Sequence, residues 1–353
     1  MKKKYGLLIK SLILFAGVFY SQLGQSQNGG RGAFQFLNTT TSARGAALGS
    51  DFLSVYDGDL SLALANPSLI NSDMHNSIGL NYVNYFNGIN YGVAQYSRTF
   101  DKIGSFAAGV QYFNYGQFDA ADESGERLGT FSASDLAFTI GWGRALSSRL
   151  SVGANIKGVY SSYETYTSFG LGTDVVFTYH DDEHQWAISL AGRNIGAQLK
   201  PFHEGNNESM PFDLQLAVSK KLLHLPLRIF AVVDEIDNWN IYYDDPDKSS
   251  ADFDAFSGEV KKESGFEREL KNALKHLRIG GELTIAKRLN VRLGYNFRTR
   301  TDLRIANKPG TVGLSWGVGL NLNRFKISYS RSAYHLEGSP NWFSISTNLS
   351  KFK

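Results

Sequence analysis

Leu136, Phe138, Ile140 and Trp142 take alternate positions along one stretch of this chain, and Leu314, Trp316, Val318, Leu320 and Leu322 along another, with only small or polar residues between them. Successive side chains of a strand point to opposite faces, so each stretch has one greasy face and one small or polar face. About fourteen such runs follow residue 76. They predict strands near 77–83, 89–99, 103–113, 135–144, 150–160, 169–179, 185–193, 212–220, 225–233, 276–286, 290–300, 313–323, 325–334 and 341–350.

Period two by itself fits a membrane barrel and a soluble sandwich equally, because both bury one face of each strand. The connections separate them. After the second, fourth, sixth, eighth, tenth and twelfth strands the links are brief, as at Asp101-Lys102, Ala145 to Arg149, His180 to His184, Lys221 to His224, Lys287 to Leu289 and Asn323-Arg324. After the third, seventh, ninth and eleventh they are long, the longest running from Asp234 to Lys275. Short periplasmic turns, long outer loops and an even strand count are the habit of outer-membrane barrels. The expected fold is therefore all-β: a transmembrane antiparallel barrel of about 14 strands over residues 77–353, with a long extracellular loop at 234–275. A closed barrel needs no long apolar run, since its backbone hydrogen bonds are made between strands.

Parity then assigns faces. On the eleventh strand Val291, Leu293, Tyr295 and Phe297 should meet lipid, which sends Arg292, Asn296 and Arg298 into the lumen; on the tenth, Arg278 and Glu282 also point inward. Trp142, Tyr179 and Trp186 fall toward the short-turn side and Phe212, Tyr295 and Phe297 toward the long-loop side, as in two aromatic girdles.

The ends of the chain differ from the middle. Residues 1–27 read as a secretory signal, with Lys2, Lys3, Lys4 and Lys10 leading into the apolar run from Leu12 to Phe19, which is too short to span a bilayer. The chain has no cysteine, so neither a lipid-anchored amino terminus nor a disulfide is expected. A net charge of +3 without a basic patch gives no support to nucleic-acid binding. Residues 28–76 have another texture, with short helix-like stretches and an Asn-Pro turn. They are expected to form a hatch inside or under the barrel, with Arg44, Gly45, Gly49, Asn66 and Pro67 as its marked residues, Ala and Gly permitting close packing on the lumen wall.

Phe34-Gln-Phe-Leu37, Ser42-Ala-Arg-Gly-Ala-Ala-Leu-Gly49 and Ala65-Asn-Pro-Ser-Leu69 resemble the amino-terminal hallmarks of the PorV/PorQ family, relatives of the fatty-acid transporter FadL. Arg292-Leu-Gly-Tyr-Asn-Phe297, Gly313-Leu-Ser-Trp-Gly-Val-Gly319 and Phe325-Lys-Ile-Ser-Tyr-Ser-Arg331 through Ser332-Ala-Tyr-His335 resemble the same family in the carboxy-terminal third. The resemblance covers the whole mature chain. It implies a hatch-plugged barrel in the Gram-negative outer membrane and a non-enzymatic part in the type IX secretion system of Bacteroidota. The partners it implies are a PorZ-type surface protein alongside the PorU sortase and its PorV shuttle, with outer-membrane lipid and lipopolysaccharide around them. The FadL kinship implies an alternative, transport of hydrophobic molecules. Phe352, penultimate before Lys353, departs from the usual barrel ending and is out of phase with Phe343, Ile345 and Leu349.

Chemistry-bearing patterns are sparse. Gly313-Leu-Ser-Trp-Gly317 matches a nucleophile elbow, but that device needs a sharp strand-to-helix turn and here lies inside an alternating strand. His180 and His184 bracket Asp181-Asp182-Glu183 in a short turn, better read as a polar turn than as a metal site. Asp244, Asp245 and Asp247 lack the Gly and distal Glu of a calcium loop. No catalytic residue, metal or cofactor is expected. The long loop carries the residues expected to bind a partner, Trp239, Tyr242, Tyr243, Phe253, Phe256 and Phe266, and its apolar positions 266, 270, 274 and 277 repeat as on a helix.

Overall fold

In the computed structural model, residues 32–242, 264–304, 310–335 and 338–352 are described. Fourteen antiparallel strands close on themselves, each hydrogen-bonded to its neighbours in the chain and β1 to β14. They are β1 Ser77–Asn84, β2 Asn90–Phe100, β3 Gly104–Ala121, β4 Arg127–Ala145, β5 Leu150–Tyr163, β6 Tyr166–Asp181, β7 Trp186–Lys200, β8 Asp213–Lys221, β9 Leu227–Val233, β10 Leu277–Ile285, β11 Leu289–Asn296, β12 Leu314–Asn321, β13 Phe325–Ser332 and β14 Asn341–Asn348. Among the described residues three α-helices accompany them: α1 Ala43–Ala47, α2 Gly265–His276 and α3 Phe297–Leu303. No helix among the described residues is long and apolar enough to cross a membrane, which says nothing of the strands.

The expected parity holds along the wall. Phe138 is 50% exposed and its neighbour Ala137 1%; Leu293 is 57% exposed and Arg292 5%. Leu314, Trp316, Val318 and Leu320 are all exposed, while Ser315 and Ser330 are buried. So long a run of outward apolar residues exceeds what a soluble monomer shows water, and a closed cylinder with this outer face is the fold of an outer-membrane barrel.

The connections at one end occupy 101–103, 146–149, 182–185, 222–226, 286–288 and 322–324. All the long ones lie at the other end: 201–212, 234–276, 297–313 and 333–340. The expected long link after the third strand is replaced by further pairing. β3 runs for 18 residues and β4 for 19, leaving only 122–126 between them. A transmembrane strand needs about 9–11 residues, so the outer part of this hairpin stands clear of the wall. A register shift between Asn114 and Gln117 marks the transition, and beyond it both faces are largely exposed.

A second departure concerns β11, which stops at Asn296 instead of continuing to residue 300. The Asn296 side chain accepts from the Thr299 amide at 3.0 Å and starts α3. Asn is a strong N-cap because its short side chain satisfies an amide that has no partner within the helix. Phe297 and Arg298 therefore lie on a helix, not at alternating strand positions. β14 likewise ends at Asn348, and Leu349–Phe352 form a 3-10 turn. There Phe352 meets Phe325 edge-on, with ring centroids 5.8 Å apart.

The core is inside the cylinder. Leu48, Leu53, Val55, Leu60, Leu62, Leu69, Ile70 and Met74 of the segment before β1 cluster with Ala107 and Phe230 of the wall. Toward the long-loop end Phe34, Phe36 and Leu37 pack with Tyr91, Phe113, Val159 and Trp342. Most of the segment is irregular, with one short α-helix and several 3-10 turns, so its backbone polar groups need partners from the wall.

Candidate functional site: the braced lumen and the long-loop rim

Two places combine burial, charge and position. The first is inside the barrel. Ser42 caps α1 by accepting from the Gly45 amide at 3.0 Å, and a Cβ on Gly45 would lie 2.9 Å from the Ser50 carbonyl oxygen, so this turn requires glycine. The cap fixes where Arg44 emerges. Its guanidinium meets Asp57 at 2.8 Å, Asp59 at 2.8 Å and Glu282 at 2.7 Å. Glu282 accepts in turn from Arg292 Nε at 2.7 Å. On β10, Glu282 stands directly opposite Arg228 of β9 and Arg292 of β11, so the sheet register alone sets three charges in a row.

Arg44, Glu282 and Arg292 are almost wholly buried. Burial alone would lower the Arg44 pKa, yet Asp57, Glu282 and Asp59 together hold it above its usual value. For Asp59, burial would raise the carboxyl, but the attraction of Arg44 and Lys326 and hydrogen bonds from Arg44 and Ser61 bring it below its usual range. Beside the cluster, toward the short turns, lies a polar cavity of about 290 Å³, lined also by Lys221, Arg228 and Lys326. Among the described residues these three cations make no ion pair.

Further contacts tie the segment to the wall. Asn66 Nδ2 donates to the Leu53 carbonyl at 3.1 Å and Ser189 Oγ at 3.3 Å, and Ser68 Oγ lies 2.6 Å from Thr178 Oγ1. Pro67 presses on the barrel where a Cβ on Gly153 would come within 2.2 Å of its carbonyl carbon. Leu48 and Gly49 do the same at Gly294. Asn155 Nδ2 donates to the Leu64 carbonyl at 2.8 Å and to Asp174 at 2.8 Å, and Asp174 is also paired with Lys157 at 2.8 Å. At the far end Trp342 Nε1 and Tyr91 Oη both donate to the Thr40 carbonyl, at 3.0 and 2.8 Å.

The second place is the rim at the long loops. Of the five charged or polar residues expected in the lumen, only Glu282 and Arg292 join the buried cluster. Asn296 caps α3 and reaches the Gly49 carbonyl at 3.5 Å. Arg278 pairs with Asp234 at the start of the long loop, and Arg298, on α3, with Glu235 at 2.5 Å and Asp302 at 3.4 Å. Trp239 stacks on His276 with centroids 4.7 Å apart, and its carbonyl lies 2.6 Å from Asn272 Nδ2 and 3.0 Å from His276 Nε2. The Tyr242 ring lies under Arg268 and Lys275. Phe266 is 77% exposed. Tyr243, Phe253 and Phe256 lie outside the described residues, as do residues 1–27 and Asp244, Asp245 and Asp247.

The remaining patterns fall into place locally. Ser315 of the elbow-like run is buried in mid-strand with its Oγ 2.8 Å from that of Ser332. His180 stacks on Tyr56 at 4.2 Å, away from His184, whose Nδ1 is 3.0 Å from Asp181. One carboxylate or ring-nitrogen atom each of Asp181, Glu183 and His184 lies within 4.8 Å of the others, with Glu183 and His184 exposed. The cluster partners Asp57, Asp59 and Arg228 escaped sequence reasoning, as did Lys157 and Asp174. For Arg228, Lys157 and Asp174 a signal existed, since each is a charge at an inward position of a strand.

The chain matches no family model and no curated protein. Among solved structures it is similar in fold to a TodX monoaromatic hydrocarbon channel lacking S2 and S3, with a TM-score of 0.53 and 13% identity over 88% of this chain and 99% of that one. It is similar to the toluene transporter TodX of Pseudomonas putida, with a TM-score of 0.50 and 13% identity over 87% and 96%. The CymD monoaromatic hydrocarbon channel gives 0.50 and 12% identity over 90% and 99%. The chain thus has the fold of bacterial outer-membrane channels of this type.

Proposed function

We propose that this protein is a PorQ-like, non-enzymatic outer-membrane barrel that anchors a surface attachment complex of the type IX secretion system, its working face being the long-loop rim. The observation that supports this is the bracing of the lumen: the segment before β1 is held by a buried Arg44–Glu282–Arg292 cluster and polar contacts to the wall. An anchor needs a rigid barrel and an adhesive outer face. The partner would be a PorZ-type surface protein, with PorU and PorV joining the same assembly beside lipopolysaccharide. Deleting residues 240–262 should leave a folded barrel in the outer membrane and abolish co-purification of the surface protein. Retention of that protein at the wild-type level would remove the anchoring assignment from this loop.

A second reading, passage of hydrophobic molecules, has its own support. TodX and CymD are channels, and their likeness favours transport more directly than it favours anchoring. Transport needs a continuous apolar path, whereas the cavity beside Arg44 is lined mainly by charged and polar side chains. Toluene or fatty-acid uptake into proteoliposomes, with an empty-vesicle control, separates the two: an anchor adds nothing to the control rate and a channel raises it.

A further inference from the structure

Helix α2 is buried on the wrong side for a helix in water. Its sequence, Gly265–His276, is amphipathic, and successive side chains turn by ~100°. Phe266, Leu270, Ala273, Leu274 and the following Leu277 then fall within an arc of about 100°, with Asn272, Lys275 and His276 roughly opposite. In a soluble protein the apolar arc packs inward. Here Asn272, Lys275 and His276 are the buried residues, while Phe266 is 77% exposed and Leu270 49%.

The polar side is a fitted joint. Asn272 Nδ2 donates to the Trp239 carbonyl at 2.6 Å, Lys275 pairs with Asp302 of α3 at 2.8 Å, and His276 lies 2.7 Å from the Asp234 carbonyl through Nδ1. These contacts fix the rotation of the helix about its axis. The start is fixed as well, by a capping box in which Ser264 and Glu267 satisfy each other's amides.

The rotation has a direction that β10 reveals. The helix runs into this strand without a linker, ending at His276 where the strand begins at Leu277. Leu277 has the parity of Ile279, Leu283 and Ile285, the exposed apolar residues of the outer wall, and is opposite Val233, which has the parity of the exposed Ile229 on β9. The last member of the helical arc is therefore also the first member of the wall's lipid-facing column, and the apolar surface is continuous from β10 up the helix.

We propose that α2 is a lipid-contacting element: a helix of about 18 Å, from its 1.5 Å rise per residue, clamped to the barrel rim by its polar side and presenting Phe266 and Leu270 to the acyl chains and headgroup boundary of the outer leaflet. Helices of this kind lie with the apolar face some 5–10 Å into that boundary. The inference needs only that the barrel wall is in lipid, and it is independent of whether the protein anchors a complex or transports. It gives Phe266 a lipid role in place of the partner contact expected from its aromatic character. Trp239 and Tyr242 belong to the clamp beneath.

The chain has no cysteine, so single-thiol variants need no background substitution. Phe266→Cys, Leu270→Cys and Glu269→Cys, all at exposed positions, are spin-labelled in the full-length protein in vesicles of phosphatidylethanolamine and phosphatidylglycerol. Collision with oxygen, which concentrates in lipid, is compared with collision with a water-soluble nickel chelate. Phe138→Cys on the outer wall and Glu123→Cys in the hairpin tip serve as references. The expected result is an oxygen-to-nickel ratio at 266 and 270 several-fold above those at 269 and 123 and below that at 138, which lies deeper in the bilayer. A ratio at 266 and 270 equal to that at 123 overturns the proposal by placing the arc in water. Shielding of both sites from both reagents also overturns it, because protein would then cover the arc.

Discussion

Glu282 is the residue whose loss tests the braced lumen most sharply. It accepts three hydrogen bonds from cations: Arg44 Nε at 3.0 Å, Arg44 Nη2 at 2.7 Å and Arg292 Nε at 2.7 Å. Glu282→Gln keeps the shape and removes the charge. Arg44 retains Asp57 and Asp59, so its charge remains compensated. Arg292 retains only the Ser328 hydroxyl at 3.2 Å among its contacts in the described residues. Removing one partner of a buried ion pair costs about 3–5 kcal/mol, and with Arg44 still paired the low end applies. At 1.36 kcal/mol per decade, about 3 kcal/mol raises the population of molecules with the segment released roughly a hundredfold. Arg44 is itself a tryptic site hidden inside the barrel. Where opening is fast relative to cleavage, the proteolysis rate follows the open population. Cleavage after Arg44, followed by mass spectrometry, should therefore accelerate roughly a hundredfold in Glu282→Gln. It should return most of the way in Glu282→Gln with Arg292→Met, which removes the orphaned charge. An unchanged rate in the single variant, in a barrel that still resists boiling-free SDS, would refute the idea that this cluster holds the segment in place.

Gly153→Val should unseat the Asn66-Pro67 turn, because even a Cβ at 153 comes within 2.2 Å of Pro67; overpacking of this kind costs about 1–3 kcal/mol, and hydrogen exchange across residues 60–70 should rise while the strands stay protected. Phe138→Arg puts a charge on the outer face and should cost about 2–4 kcal/mol if it lies near the bilayer midplane, read as a lower urea midpoint in vesicles, whereas Phe266→Arg at the rim should cost less. Asp59 makes a pH prediction. Its carboxyl is held below the usual value of 3.8 in the folded state, so the stability it contributes is present above 3.8 and lost as pH falls through the depressed value. Exchange protection of residues 43–62, corrected for intrinsic rates, should be flat from neutral pH down to about 5 and fall below about 4. In Asp59→Asn it should start lower and lose that part of the acid dependence; an acid limb identical to wild type would count against the assignment.

Parity made the wall legible because a strand in a closed barrel has only two faces, and toward the bilayer middle one of them strongly disfavours charge. That is why Leu136, Phe138 and Ile140 could be assigned outward, and why the strand number and the short turns follow from the order of apolar and polar residues along the chain. The same logic fails wherever the solvent no longer differs between faces. Past Asn114 the β3–β4 hairpin leaves both lipid and lumen, its sequence loses alternation, and extended pairing reads as a loop. At Asn296 it fails for another reason: Phe297 and Arg298 continue the outward-apolar, inward-charged order of Leu293 and Arg292, and the capping capacity of Asn296 is what turns the chain into a helix there. The luminal cluster shows a third limit. Outward charge is costly toward the middle of a barrel strand and is found here only near strand ends, as at Arg98, Arg144 and Arg331, so Arg228, Glu282 and Arg292 can be collected from parity, and register sets them side by side. Arg44 stands 238 residues away from Glu282 in the chain, and its approach depends on how an irregular segment turns at Gly45, Gly49 and Pro67, for which no periodicity exists. A pattern confined to strands can say that Glu282 needs a buried cation. It takes the packed interior to say that the segment before β1 supplies one, and that this segment is therefore bound to the barrel by the charges the lumen would otherwise have to solvate.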